Sequence, residues 1–277
     1  MSDGTGWFDD VDPADVAAAA AAIAEGSAEE PRDWPSLAVE AGFAEDEPDY
    51  YDRLHGAAVR AAREEAAERE GAADQQLAHA VRAMDDCART ANELAERLAE
   101  WAGARFALDA SGIEYARQVA HRDPADPTEE RIVALASRVA NLADERDALR
   151  AHVEQQAQAL APNLSAIAGP VLAARLIALA GGLESLAKKP SGTIQVLGAE
   201  DALFAHLSGR APSPKHGIIF THEYVRGTAK DERGSAARAL AGKLAIAARV
   251  DHYSGERKPE IDAELEERIQ RIRSRGA

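Results

Sequence analysis

Residues 77–102 read LAHAVRAMDDCARTANELAERLAEWA, and the spacing of their apolar residues decides the fold. Leu77, Val81, Met84, Ala88, Ala91, Leu94, Leu98 and then Trp101 or Ala102 recur at intervals of three and four. Those intervals bracket one turn of an α-helix, so the residues form a single heptad-like seam. The helical pattern extends back to about Ala57, and Gly103–Asp109 and the proline-bearing His121–Pro127 interrupt it. A second long helix begins near Thr128, where Thr128 offers a cap and Glu129 and Glu130 supply first-turn acids. Its seam is Ile132, Leu135, Val139, Leu142, Leu149, Val153 and Leu160, broken at Arg146 and Gln156. Two such helices predict an antiparallel coiled-coil hairpin over 57–165, and such hairpins often self-associate. The candidate dimerisation residues are Leu77, Val81, Met84, Leu94, Leu98, Ile132, Leu135, Val139 and Leu142. Two helices of an ordinary bundle fit the same pattern.

Outside the seam, composition points the same way. Aromatics make up only 5% of the 277 residues and alanine dominates, which predicts an all-α protein with room for two modules. The net charge of −16 argues against a nucleic-acid partner at first sight. The basic residues, however, are 26 Arg and only 6 Lys in an acidic, Ala-rich chain, the pattern of a protein from a salt-accumulating halophile. There an acidic surface is a global solubility adaptation. The charge is also uneven. Residues 1–70 hold 19 acidic and 5 basic residues, and 71–165 hold 16 and 10. Residues 166–258 reverse the balance with 8 acidic and 13 basic, and 259–277 hold 5 and 4, a charged C-terminal helix or tail.

Cys87 is the only cysteine, which excludes an internal disulfide and reads as a small core residue beside Met84 and Ala88. The Ala-rich run 17–22 is too short and weakly apolar to span a membrane, and no signal peptide is recognisable, so the expected location is cytoplasmic with no membrane contact.

Residues 1–56 form a short acidic segment cut by Pro13, Pro31, Pro35 and Pro48, with Trp7, Phe8, Trp34, Phe43, Tyr50 and Tyr51 scattered through it. Asp12-Pro13 reads as a cap and first-turn proline of a helix reaching about Ala24. The aromatics fit either the core of a small unit, α/β in type, or a partly disordered acidic arm.

After Pro162 the texture changes to shorter elements with more Gly and Pro. Three blocks stand out: Gly169-Pro170-Val171-Leu172-Ala173-Ala174-Arg175-Leu176-Ile177; Leu186-Ala187-Lys188-Lys189-Pro190-Ser191-Gly192-Thr193-Ile194-Gln195-Val196-Leu197-Gly198-Ala199-Glu200-Asp201-Ala202-Leu203-Phe204; and Pro214-Lys215-His216-Gly217-Ile218-Ile219-Phe220, followed by Arg238–Lys243 and Ala248–Asp251. In this order and spacing, over about 166–254 of a module bounded at 166–258, they closely resemble the Nop domain of the core proteins of box C/D ribonucleoproteins. Asp85-Asp86 and Leu94–Trp101 are similar to the family's first coiled-coil helix.

The resemblance implies a scaffold without chemistry or cofactor of its own. Its Nop domain would clamp a kink-turn guide RNA together with the small ribosomal-protein-like protein already bound to it. The coiled coil would pair two copies. The N-terminal segment, much shorter than the family's usual α/β unit, would be a reduced dock for the methyltransferase fibrillarin, which methylates RNA ribose 2′-hydroxyls. Candidate RNA-binding residues are Gly198, Ala199, Glu200 and Lys215, then Thr193 and Gln195, with phosphate contacts from Lys188, Lys189, Arg226, Lys230, Arg238, Lys243 and Arg249. Arg210 and Arg233 belong to the same cationic set, whereas Arg175, in an apolar helix, reads as one half of a structural ion pair. Leu203 and Phe204 read as core. Asp201 and Ala205 stand where the family usually has Lys and Arg, which removes two charges from the expected RNA face.

Enzymatic readings find little support. The eight histidines form no metal-ligand spacing, and no Gly-x-Gly-x-x-Gly, P-loop or Gly-x-Ser-x-Gly is present. The alternative is a coiled-coil interaction scaffold without direct RNA contact.

Overall fold

The computed structural model describes residues 6–27 and 30–275. Among these residues there are helices and turns and no strand, so the α/β option for the N-terminal segment is set aside. The chain divides into two compact units, Met1–Ala72 and Ala73–Ala277.

The first unit contains α1 (Val16–Glu25), α2 (Trp34–Glu40) and α3 (Glu47–Gly71). The α1 cap is Asp15, which accepts from Ala17 N and Ala18 N, three residues after the Asp12-Pro13 start read from the sequence. Asp12 instead closes the preceding turn, accepting from Ala14 N at 2.9 Å. The aromatics do build a core: Phe8, Phe43 and Tyr50 are buried with Ala38 and Ala44, and Trp7 packs edge-on to Phe43 at 5.1 Å. Helix α3 runs without interruption through residue 56: Pro48 lies in its first turn, where proline is tolerated, and Gly56 is carried inside the helix.

In the second unit α4 (Ala73–Ala102) and α6 (Pro127–Leu160) form the hairpin. The start of α4 (Leu77, Val81, Met84) shares a cluster with the end of α6 (Val153, Ala157), and Ala95, Leu98 and Ala102 meet Ile132, Ala136 and Val139 at the other end. The helices are therefore antiparallel. On α6 the fully buried line is Ile132, Ala136, Val139, Ala143, Val153 and Ala157, while Leu135 and Leu142 are only half-buried. Small side chains at the contact let two helices approach closely, and the larger leucines flank it. Pro127 at the first turn is preceded by the true cap, Asp126, which accepts from Thr128 N and Glu129 N. The bond from Glu129 N first, then the Arg105 guanidinium and last the bond from Thr128 N lower the Asp126 pKa. Between the two arms the chain forms α5 (Gly112–Ala120), a helix not read from the sequence. Its Tyr115, Ala116 and Val119 pack onto the hairpin, and Tyr115 OH donates to Phe106 O.

The rest of the unit contains α7 (Pro162–Ala168), α8 (Pro170–Ala180), α9 (Leu183–Lys188), α10 (Ser191–Val196), α11 (Glu200–Leu207), a 3-10 turn at Ile218–Thr221, α12 (Glu223–Arg226), α13 (Arg233–Tyr253) and α14 (Glu260–Arg273). The core lies around α13, whose Ala236, Leu240, Leu244 and Ala248 are buried against α7, α9 and α10. Two boundaries placed at changes of composition move. The first turns of α4 and the end of α6 join this core, so the Nop-like module does not begin at 166. Ile261, Leu265, Ile269 and Ile272 of α14 are also buried in it, so 259–273 is structural and not a tail. No single helix among the described residues is long and apolar enough to cross a membrane.

Candidate nucleic-acid interface

Helix α10 ends at Val196, and the chain turns sharply through Leu197-Gly198-Ala199 into α11. Gly198 sits at φ +80°, in the left-handed region that glycine tolerates best. The turn is held from two sides. The Glu200 carboxylate accepts from Gly198 N at 2.8 Å, bracing the loop from within. A second strip of chain, 215–218, docks alongside: Gly217 N donates to Gln195 O, Ile218 N to Leu197 O, and Gln195 Nε2 to Lys215 O, each at 2.8 Å. Gly217 has to be glycine, because a Cβ there would lie 2.0 Å from Leu197 O.

This docking brings together Gln195, Gly198, Ala199, Glu200 and Lys215. The side chains of Gln195 and Glu200 shape the loop, whereas Lys215 is exposed and has no acidic partner among the described residues. Thr193 is exposed one turn back on α10. His216 stacks on Phe220 at 4.6 Å, and the Arg233 guanidinium lies over the same Phe220 ring at 5.5 Å.

The remaining cations separate by engagement. Lys188 pairs with Glu184, Arg226 with Glu223 and Lys243 with Glu264, while Arg249 Nε donates to Ala187 O. Arg210 donates to Ser208 Oγ. Among the described residues Lys189, Lys230 and Arg238, like Lys215, have no acidic partner. Arg175 makes a bidentate ion pair with Asp85 of α4, the structural role expected of it.

Against the expectation that Leu203 and Phe204 are core, Leu203 is half-buried and Phe204 is 64% exposed, and Leu207 of the same helix is 71% exposed. Helix α11 buries nothing because its two turns leave the Gly198 loop without a wall to pack on. Leu179, 45% exposed, borders the loop, its Cδ1 3.4 Å from where a Gly198 Cβ would stand. Exposed apolar groups beside a cation and a braced turn describe an interaction surface, more apolar than bare phosphate requires. The signal available in the sequence was the one-sided spacing of Leu203, Phe204 and Leu207.

The intended pairing seam is largely consumed inside the chain. Leu77, Val81, Met84, Leu98, Ile132 and Val139 are buried between the hairpin arms or in the main core, leaving Leu94, Leu135 and Leu142 half-buried. Cys87 is a half-buried free thiol and not part of the core.

Residues 75–274 match the Nop family, described as a snoRNA binding domain, fibrillarin. The chain belongs to the Nop family. Its relatives include a NOP5 family protein of Methanocaldococcus jannaschii, 49% identical over 142 residues, covering 51% of this chain and 34% of that one. Nucleolar protein 58 of Scheffersomyces stipitis is 40% identical over 53% of this chain and 30% of its own length. Nucleolar protein 56 of Homo sapiens is 38% identical over 58% and 26%. The chain thus matches about a third or less of the length of these Nop proteins. Among solved structures, a chain of a fibrillarin/Nop5p complex superposes with a TM-score of 0.54 at 26% identity, covering 92% of both chains. The Nop match begins at 75 and ends at 274, in agreement with the core that takes in the start of α4 and all of α14.

Proposed function

We propose that this Nop protein is a scaffold of a box C/D guide ribonucleoprotein, and that it binds a kink-turn RNA together with the small protein seated on it. The supporting observation is the docking of 215–218 onto 195–197, which presents a braced turn, the exposed Lys215 and the exposed apolar residues of α11 together. A surface of that mixture suits an RNA-protein composite better than naked phosphate, since base-independent RNA affinity comes mainly from cations. The acidic first unit is the dock for fibrillarin, and the scaffold positions that enzyme for 2′-O-methylation while performing no chemistry itself. Self-association runs through Leu94, Leu135 and Leu142, the candidate pairing residues not fully buried within the chain.

Reconstitution tests the proposal. A gel shift of guide RNA loaded with the kink-turn protein is expected to supershift when this chain is added, and Lys215→Glu is expected to weaken the supershift. Absence of a supershift by the unsubstituted chain, in low and in high salt, would reject the RNA scaffold in favour of a purely protein-binding hairpin.

A further inference from the structure

A second set of exposed residues lies where the end of α13 passes the end of α9. Arg249 and Tyr253 are four residues apart on α13 and therefore share a face. Arg249 Nε donates to Ala187 O at 3.1 Å, which seats this face against Lys188 and Lys189 at the end of α9. Tyr253 is 70% exposed, and its ring is steadied edge-on by His252 at 4.6 Å. Tyr253 and Lys188 are near enough to interact electrostatically, although Glu184 acts on Lys188 more strongly. The other charged groups are Glu184, paired with Lys188, and, next along the chain after Tyr253, the exposed Glu256, Arg257, whose guanidinium pairs with Asp262, and Lys258. None of these residues belongs to the Gly198 loop.

An exposed, sterically steadied aromatic face beside several cations is the combination that takes up an unpaired nucleotide. The ring stacks on a base whatever its identity, and the ammonium and guanidinium groups meet the flanking phosphates. We propose that Tyr253, with Lys188, Lys189 and Arg249, forms a second RNA contact that takes a single-stranded segment. The inference rests on the RNA-scaffold reading but uses residues outside the Gly198 loop and the 215–218 strip.

The test is fluorescence anisotropy of the full chain with a labelled uridine oligonucleotide at about 0.15 M ionic strength. Tyr253→Ala is expected to weaken binding about tenfold, and Tyr253→Phe to retain it, because stacking needs the ring and not the hydroxyl. Lys189→Ala is expected to weaken binding and lower the slope of log affinity against log salt by about one. Tyr253 is exposed, so an unchanged melting curve will show that the variant folds. Binding that Tyr253→Ala leaves within about twofold, an oligonucleotide that does not bind, or a duplex that competes as well as the single strand would each overturn the inference. The kink-turn supershift, measured on the same variants, separates the two readings. A supershift that survives Tyr253→Ala while oligonucleotide binding falls supports the second face. A lost supershift in the unsubstituted chain, with oligonucleotide binding intact and Tyr253-dependent, removes the composite reading and leaves this one.

Discussion

Asp251 of α13 caps the start of α7, where Asn163 is the second residue: its carboxylate accepts from Asn163 N at 3.0 Å, Leu164 N at 2.8 Å and Asn163 Nδ2 at 2.7 Å. Helix α7 begins with Pro162, and its own flanking residue, Ala161, has no side chain to cap with. A carboxylate 87 and 88 residues away in sequence thus satisfies two N–H groups that a helix start otherwise leaves open. The same Asn163 accepts from Lys258 N at 2.7 Å and donates to Glu256 O at 2.8 Å, so the link between α13 and α14 is tied to α7 as well.

Asp251→Ala is therefore expected to be among the most damaging single changes in the second unit. It strands three buried donors at once, at a cost of about 3 kcal/mol, and Asp251→Asn is expected to cost less because one oxygen still accepts. Denaturant unfolding checks this. A midpoint shift equivalent to under about 1 kcal/mol for Asp251→Ala would show that water replaces the carboxylate.

The ion pair of Arg175 with Asp85 joins α8 to α4 and fixes the Nop-like core on the hairpin. The two side chains are 32% and 44% exposed, so solvent screens them despite the bidentate geometry. A double-mutant cycle of Arg175→Ala and Asp85→Ala is expected to give a coupling of about 0.5–1 kcal/mol that shrinks in molar salt. A coupling that stays constant with salt would mean that packing, not charge, links the helices.

His222 predicts how the fold responds to pH. Its Nε2 contacts Ile167 O at 2.9 Å and its Nδ1 accepts from Tyr224 N at 3.1 Å, which describes a neutral ring. Burial lowers its pKa below the ordinary 6.5, opposed by the bond to Ile167 O. The unfolded chain consequently takes up this proton first on acidification, so the contribution of His222 to stability is intact above pH 6.5 and declines as pH falls below that value. A His222→Gln variant keeps a donor and an acceptor but does not titrate. It is expected to lose less stability than the unsubstituted protein between about pH 7.5 and 5. Equal losses in the two proteins would show that other groups govern the acid side.

Much of this was legible in the residues and some was not. The seam at Leu77, Val81, Met84 and Leu98 located α4, because a three-four spacing has only one helical solution. The same rule misjudged α6, where Ala136, Ala143 and Ala157 form the contact and Leu135 and Leu142 flank it. Hydrophobicity ranks leucine above alanine, but close helix packing favours the smaller residue, and only the partner helix decides between them. Arg175 was legible as an ion-paired residue because nothing else on its helix is charged. Phe204 was misread because burial depends on a wall that sequence does not show. The short α5 was missed because its Ile113, Tyr115, Ala116 and Val119 lie between two strong breaks and fill barely two turns. The gathering of Gln195, Gly198 and Lys215 came from the resemblance, and its physical cause, main-chain pairing of two distant strips, has no local signature.

That pairing yields the most discriminating variant. Gly217→Ala would place a methyl group 2.0 Å from Leu197 O and 2.6 Å from Val196 C, both main-chain atoms that cannot rotate aside. The strip 215–218 must then lift from α10, breaking the bonds from Gly217 N and Ile218 N and carrying Lys215 away from Gln195. The hairpin and the α13 core do not depend on those bonds, so most of the helical signal is expected to remain, with stability lowered by about 1–3 kcal/mol. The kink-turn supershift is expected to fall further than in Lys215→Ala, because the whole surface is displaced and not one charge. If Gly217→Ala supershifts as well as the unsubstituted chain while its stability is lowered, the surface built on this docked strip is not where the RNA particle binds.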